Sequence, residues 1–274
     1  MGMTIRTITV SVDLGAAAAD RVQLAAGLAE RLRACLIGIG ACRVPSYLPV
    51  GDMLAVERIY EDEERRAREQ LEQVRALFER EAGTMPRTEW RSALTDPLAY
   101  HAEQAREADL VVVGRQGPAD GDPGPTAAPT GALLMAVGRP VLVVPPGLER
   151  LGLGCAVVAW KETREARRAV HDALPLLSLA ERVCIVAVGP EAHRAGAEGT
   201  AAYLTRHGLA ATTHLLPDQP AVGAGDALLR FAGREGADLL VMGAYGHSRL
   251  REWIFGGATR DILQATHVCC LMSH

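Results

Sequence analysis

Residues 108–117 read ADLVVVGRQG, and residues 237–246 read ADLLVMGAYG. Each is an apolar run closing on Gly-x-x-Gly, and the copies stand 129 residues apart. A repeat of this kind marks one folding unit written twice, so the rest of the chain is read outward from it. Downstream of each copy comes a further apolar run, RPVLVVP at 139–145 and THVCCLMSH at 266–274. Upstream, each half opens on a strand-like segment, ITVSVD at 8–13 and CAVVAW at 155–160. Each opening is followed by an Ala-rich helical stretch and another apolar run, CLIGIG at 35–40 and VCIVAV at 183–188. The upstream offset is about 147, which places roughly 18 extra residues in the first half, between Ala41 and a long charged helix.

Short, continuously apolar strands separated by helix-length segments are the pattern of a parallel sheet covered on both faces. The charged helix is plain between Glu61 and Glu81: Ala67, Leu71, Val74 and Phe78 recur at helical spacing, with Arg65, Arg66, Arg68 and Glu69 on the other face. Gly83 to Pro86 ends it, because proline cannot continue a helix. The Pro/Gly-rich segment PPGLERLGLG at 145–154 joins the copies. The expected architecture is two tandem, doubly wound α/β domains, residues 1–148 and 149–274.

Composition agrees with this and removes several functions. The 274 residues are 49% hydrophobic and only 4% aromatic, so the core is built from Ala, Leu and Val. A net charge of −4 offers no positive stripe for nucleic acid, and the charge run on the long helix is a solvated face. No apolar run reaches the ~18–20 residues that span a bilayer, and the first residues lack the features of a signal peptide. Among the six cysteines, Cys155, Cys184, Cys269 and Cys270 lie in apolar runs, Cys35 and Cys42 complete the set, and no C-x-x-C occurs. Adjacent Cys269 and Cys270 face opposite sides of a strand, so metal binding is set aside; reduced thiols point to the cytoplasm.

In an open parallel sheet, ligands sit beyond the carboxyl ends of the strands. After the strand at 239–242 come Gly243 and Gly246, nine residues (HSRLREWIF), then Gly256, Gly257, Ala258 and Thr259 before a helical segment. Gly243 and Gly246 allow close approach of the backbone to a ligand. Gly256 and Gly257 precede a helix whose free N–H groups and dipole attract anions, with Thr259 as a hydroxyl donor or cap. Together these describe a polyphosphate cradle, though not a Walker loop. The same glycines would serve, without any ligand, to end a strand and start a helix.

The string GAYGHSRLREWIFGGATRDIL resembles the nucleotide loop of the universal stress protein family, G-x2-G-x9-G-[S/T]. Gly243, Gly246 and Gly256 match in spacing, while Gly257 replaces the Ser/Thr. The resemblance covers the chain and implies a tandem member: two five-stranded parallel sheets of adenine nucleotide alpha hydrolase-like fold, packed as a pseudo-two-fold intramolecular dimer through the runs at 139–145 and 267–273. It also implies a regulatory stress-response role and leaves room for a homodimer of tandem chains. Family members that bind ATP contact its adenosine end with an Asp at the end of the first strand and with backbone groups after the second. By that resemblance Asp13 holds the acid's position in the first half and Trp160 in the second, followed by Lys161. Trp160 stacks on adenine, fills its pocket, or is a rim or core residue with no ligand. Lys161 and Arg164 can offset phosphate charge, and backbone near Val186 and Val188 completes the adenine end.

The first half keeps Gly114 and Gly117 but continues PADGDPGPTAAPTGALL. Pro118, Pro123, Pro125 and Pro129 remove N–H donors and obstruct the helix start, and Asp120 and Asp122 place uncompensated charge where phosphate would lie. Its loop is therefore read as unable to hold phosphate. His247 and Ser248 follow Gly246, yet no carboxylate at fixed spacing orients the histidine, so no catalytic residue is assigned. His171, His193, His207, His214 and His267 are scattered without metal-ligand spacing. The expectation is one adenine nucleotide, ATP with Mg2+, in the second domain. The alternatives are a nucleotide-free interaction protein and a slow ATPase.

Overall fold

In the computed structural model the described residues are 4–45, 53–189, 196–217, 223–246 and 257–274. Two βα series of the same order follow one another. The first holds β1 (Thr7–Ser11), α1 (Ala18–Leu32), β2 (Cys35–Ala41), α2 (Met53–Ala82), β3 (Thr88–Ala93), α3 (Pro97–Gln104), β4 (Leu110–Gly114), α4 (Thr130–Ala136) and β5 (Val141–Val144). The second holds β6 (Cys155–Ala159), α5 (Arg164–Leu177), β7 (Arg182–Val188), α6 (Ala197–Arg206), β8 (Ala211–Leu216), α7 (Ala224–Arg234), β9 (Leu239–Gly243), α8 (Gly257–Ala265) and β10 (Cys269–Ser273).

All ten strands join one sheet in the order β3-β2-β1-β4-β5-β10-β9-β6-β7-β8. Every pairing is parallel except β5–β10 at the centre, where Leu142 lies opposite Leu271. These two leucines stand at the same place in the 129-residue repeat, and Val141 and Val143 pair with Met272 and Cys270 around them. A strand meeting its own repeat copy in antiparallel register is a two-fold contact made within one chain. The runs at 139–145 and 267–273 therefore meet as the resemblance implies.

The inner strands bury both faces and are mostly apolar, whereas the edge strands β3 and β8 stay partly exposed and carry polar residues. Ile8, Val10, Leu110, Val112 and Leu142 face one side and pack under α1, α2, α5 and α6. Val111, Val113, Val141 and Val143 face the other, under α4, α7 and α8. Cys269 belongs to the first side and Cys270 to the second. Burial pushes the Cys269 thiol up to about 12, and it raises that of Cys270 as well.

The repeated Ala-Asp-Leu also sets the strand starts. Asp109 Oδ2 accepts the N–H groups of Arg6 (2.7 Å) and Thr7 (3.0 Å). Its copy Asp238 accepts those of Gly154 (2.8 Å) and Cys155 (3.1 Å). One carboxylate in each half thus satisfies two main-chain donors at the foot of its first strand. The surplus residues of the first half lie in the β2–β3 crossover: α2 runs 30 residues, whereas α6 runs 10. They extend the charged helix itself instead of preceding it, as the sequence reading expected. Among the described residues no helix is long and apolar enough to cross a membrane.

Candidate functional site

At the carboxyl end of β9, the missing side chain of Gly243 makes room for α5. A Cβ there would come within 2.5 Å of Ala166 N and 2.9 Å of Glu165 Cβ. The first turn of α5 is fixed in that place by Thr163, whose Oγ1 accepts the Ala166 N–H at 3.2 Å. Gly243 is thus first a packing glycine. Gly246 borders the same turn, its Cβ position lying 3.0 Å from Glu165 Oε2 and 3.2 Å from Thr163 Oγ1. Glu165 is 4% exposed. Burial pushes its carboxyl up, but hydrogen bonds from Arg164, its own backbone and Thr163 outweigh this and hold it below the usual carboxylate range. A buried carboxylate therefore stands beside the second glycine of the proposed phosphate loop.

Between the glycines, Tyr245 adopts a left-handed conformation (φ 55°), uncommon for a residue with a Cβ. Its N–H donates to Thr259 Oγ1 at 3.4 Å, so Thr259 ties the start of α8 to the end of β9. α8 begins on Gly257, where a Cβ would meet nothing closer than Asp261 Oδ2 at 3.9 Å. Ala258 and Thr259 follow in its first turn, at the helix end whose N–H groups and dipole favour anions. His247, Ser248 and Gly256 lie outside the described residues.

The adenosine-end residues need one correction. Val12 N donates to Ile39 O at 3.0 Å, and Trp160 N donates to Val186 O at 2.7 Å. Ile8 pairs with Leu110, and Ala156 pairs with its repeat copy Leu239. The first strands therefore correspond at an offset of 148, which sets Trp160 against Val12 and Lys161 against Asp13. A shift of one residue turns a side chain to the opposite face. Trp160 points into the core shared by α5 and α6 and is 8% exposed, while Lys161 is exposed. The second half thus carries a base where the first carries an acid. Val186 faces the α7 side, buried, and Val188 ends β7 partly buried on that same side.

The first half fills its own cleft. Asp13 and Arg21 form a 2.7 Å ion pair with side chains 7% and 4% exposed. Arg21 Nε also donates to Ser11 O at 2.8 Å, and its guanidinium occupies the space a Gly114 side chain would need. Beyond Gly114, Arg115 Nε donates to Asp120 Oδ2 at 2.8 Å, and Gly117 N donates to the same oxygen at 2.6 Å. The Arg115 guanidinium, then the Gly117 N–H, hold the Asp120 carboxyl below its ordinary range against its burial. Asp120 is therefore compensated, contrary to the sequence expectation. It takes the donor that a phosphate would use. Nor do the prolines prevent the helix: α4 starts at Thr130, directly after Pro129 as its cap residue. The space left among Asp13, Arg21, Gly114 and Asp120 is about 30 Å3, one water's worth.

The halves also grip each other here. Arg115 Nη1 donates to Thr266 O at 2.7 Å, just past α8, and Gly117 packs on Gln264 O. Reciprocally, a Cβ on Gly131 would lie 3.0 Å from the Tyr245 hydroxyl.

Residues 162–274 match the model of the Universal stress protein family. They form a universal stress protein domain. No curated protein matches the chain. A universal stress protein from Archaeoglobus fulgidus has the same fold over the whole length, with a TM-score of 0.73 at 14% identity and 97% of each chain covered. A Pseudomonas aeruginosa protein described as functionally unknown is similar at a TM-score of 0.59 and 17% identity, covering 98% of this chain and 92% of that one. A universal stress protein solved in complex with cAMP overlays 52% of this chain and 98% of its own at 21% identity, with a TM-score of 0.37. The tandem arrangement read from the repeat fits a chain with the universal stress protein domain in its second half.

Sequence reasoning missed Glu165 and Arg21. Arg21 had a signal, being a charged residue inside the apolar stripe of Val22, Leu24, Ala25 and Leu28. Glu165 had none, because it comes beside Gly246 only through the packing of α5 on β9.

Proposed function

We propose that the chain is a regulatory, non-catalytic binding protein of the universal stress type, with domains 1–148 and 149–274. In this reading the second domain holds one adenine nucleotide, ATP accompanied by Mg2+, and the first holds none. One observation carries it: the first cleft is reduced to about 30 Å3 by the Asp13–Arg21 and Arg115–Asp120 pairs, whereas among the described residues nothing comes closer to the Cβ position of Gly257, at the start of α8, than Asp261 Oδ2 at 3.9 Å. The N–H groups of Gly256, Gly257, Ala258 and Thr259 would receive the phosphates. Lys161 and Arg164 would supply charge, as His247 and Ser248 would supply donors beyond Gly246. Backbone at Val186 and Val188 would border the base, while the Trp160 side chain is turned to the opposite, α5–α6 side. Mg2+ would arrive on the phosphates and neutralise them. A cytoplasmic setting suits six unpaired thiols. A homodimer of tandem chains would need surfaces other than the β5–β10 seam, which is used internally.

A second reading, a nucleotide-free interaction protein, is favoured by Glu165, which stands at Gly246 and already engages Arg164 in an ion pair, so that neither its charge nor that arginine favours phosphate there. Calorimetry with ATP and Mg2+ separates the two, using wild type and Gly257→Glu. The introduced carboxylate suits the first turn of a helix, so the fold is retained while the anion is repelled. The expected result is one bound nucleotide per chain and at least a tenfold loss in Gly257→Glu. No binding heat in wild type, with no nucleotide found by mass spectrometry in freshly purified protein, would establish the nucleotide-free reading.

A further inference from the structure

A second feature of the universal stress protein domain lies on the other side of α5. A cavity of about 440 Å3 opens between α5 and α6, walled by Trp160, Val170, Thr200 and Tyr203, with Gly196 and Gly199 on its helical side. Its size falls in the range of small-molecule sites. None of Gly243, Gly246 or Gly257 lines it, because the first turn of α5 separates it from the glycine loop.

The cavity has a cause in the sequence. In the first half, α2 covers the corresponding face with Leu71, Val74 and Phe78, spaced three and four apart and all buried. On α6 the same spacing presents Ala197, Thr200 and Leu204. Against Leu71 stands an alanine and against Phe78 a leucine, while Val74 is matched by an isosteric threonine, next to glycines that add no volume. The space lost is bordered by two aromatic rings, with Tyr203 held in place by His207 at a ring separation of 4.6 Å.

We propose that this cavity is a binding site for an uncharged, flat aromatic molecule carrying an N–H donor. The absence of net charge follows from the rim, where Glu162 and Arg167 neutralise each other in an ion pair. Flatness follows from the Trp160 and Tyr203 rings that both line the cavity, which reward stacking and edge contacts. The donor follows from the acceptors: Thr200 donates its hydroxyl hydrogen to Gly196 O at 3.2 Å, leaving lone pairs. Glu162 Oε2 meanwhile lies 2.6 Å from the Cβ position of Gly196, at the cavity's end. A charged aromatic would find no counter-ion that is not already paired.

Indole is the probe, titrated by calorimetry into the full chain, with benzoate and adenosine as comparators. Indole is expected to bind one per chain, and benzoate at least tenfold more weakly. Gly199→Leu fills the space without strain, since nothing lies within 4 Å of a Cβ there and leucine favours helix more than glycine does. It is expected to weaken indole at least tenfold while the circular dichroism and melting temperature are kept. Saturating ATP and the Gly257→Glu change should leave indole affinity untouched, so this site stands or falls separately from the nucleotide site. Overturning results are any of four: no saturable indole binding, equal affinity in Gly199→Leu, equal binding of benzoate, or competitive displacement by ATP or adenosine.

Discussion

The loops after β4 and β9 have the same length, with Gly117 to Thr130 matching Gly246 to Thr259 at the 129-residue offset. They also do the same mechanical work. Thr130 Oγ1 donates to Gly114 O at 2.8 Å, and Thr259 Oγ1 accepts from Tyr245 N, each pinning a helix start to a strand end. Both second glycines face a carboxylate: Asp120 Oδ2 lies 3.1 Å from the Cβ position of Gly117, and Glu165 Oε2 lies 3.0 Å from that of Gly246. The difference is where the carboxylate comes from. Asp120 belongs to the loop itself and takes the loop's own N–H, whereas Glu165 is borrowed from the neighbouring helix. Glycine spacing therefore records a backbone path, and the side chains around it decide whether that path is open to an outside anion.

The first glycines differ in the same manner, and they give the largest expected effect. The obstacle to a side chain at Gly243 is main chain, Ala166 N at 2.5 Å, while at Gly114 it is the end of the Arg21 side chain. Main chain in a helix moves only with the helix, but a guanidinium can swing. Gly243→Val is expected to destabilise by about 4 kcal/mol and Gly114→Val by about 2 kcal/mol, read from urea unfolding midpoints. Equal losses would mean that α5 is not seated on β9 as described.

How much of this could be read beforehand follows from particular residues. The central pairing of 139–145 with 267–273 was implied by the family resemblance, whereas the repeated ADL strands and the buried stripe of α2 were legible because each is a pattern along the chain. The register of the first strands was not. ITVSVD alternates apolar and polar residues whereas CAVVAW is apolar throughout, so no shared alternation fixes which of two offsets is right, and Trp160 falls one place from where Asp13 suggested it. The charge pairing was also illegible. Asp120 read as an exposed cost until the fold turned Arg115 onto it, and Glu165 read as a helix-start acid until α5 met Gly246. His247, Ser248 and Gly256 lie outside the described residues, so the middle of the glycine loop stays an expectation from sequence.

A second contrast between the halves is acid sensitivity. His101 on α3 is buried, its Nδ1 bonded to Pro97 O at 2.7 Å and its Nε2 without a partner among the described atoms. Burial drives its pKa down to about 4, the Pro97 carbonyl only partly opposing this, with Arg21 lowering it and Asp13 raising it. Among the described residues of the second half no histidine is buried. The folded pKa lies below the unfolded value near 6.5, so the unfolded chain takes up the proton first. Stability is full above pH 6.5 and falls as the pH drops towards 4, by up to roughly 3 kcal/mol. Hydrogen exchange should report this loss first in amides of α3 and β1. His101→Gln, which cannot titrate, should flatten the pH dependence in that window, and an unchanged slope would place the acid-sensitive group elsewhere.

The smallest expected effect bears most directly on what separates the two loops. If a phosphate docks at α8, the charge on Glu165 repels it across a few ångströms, and Glu165→Gln removes that repulsion while keeping the side chain's shape. At the effective dielectric of a partly buried site such a repulsion is about 4 kcal/mol at ~4 Å; with the Arg164 ion pair offsetting most of it the gain is about 1.4 kcal/mol, a tenfold tighter ATP complex. The matching change in the first half, Asp120→Asn, should produce no binding, because Arg21 and Asp13 still fill that cleft. Tighter ATP binding in Glu165→Gln alone would show that the two copies differ in cleft volume as well as in charge. Equal gains in both variants would show that charge alone had separated them, and the 30 Å3 limit of the first cleft would then have to yield to the ligand.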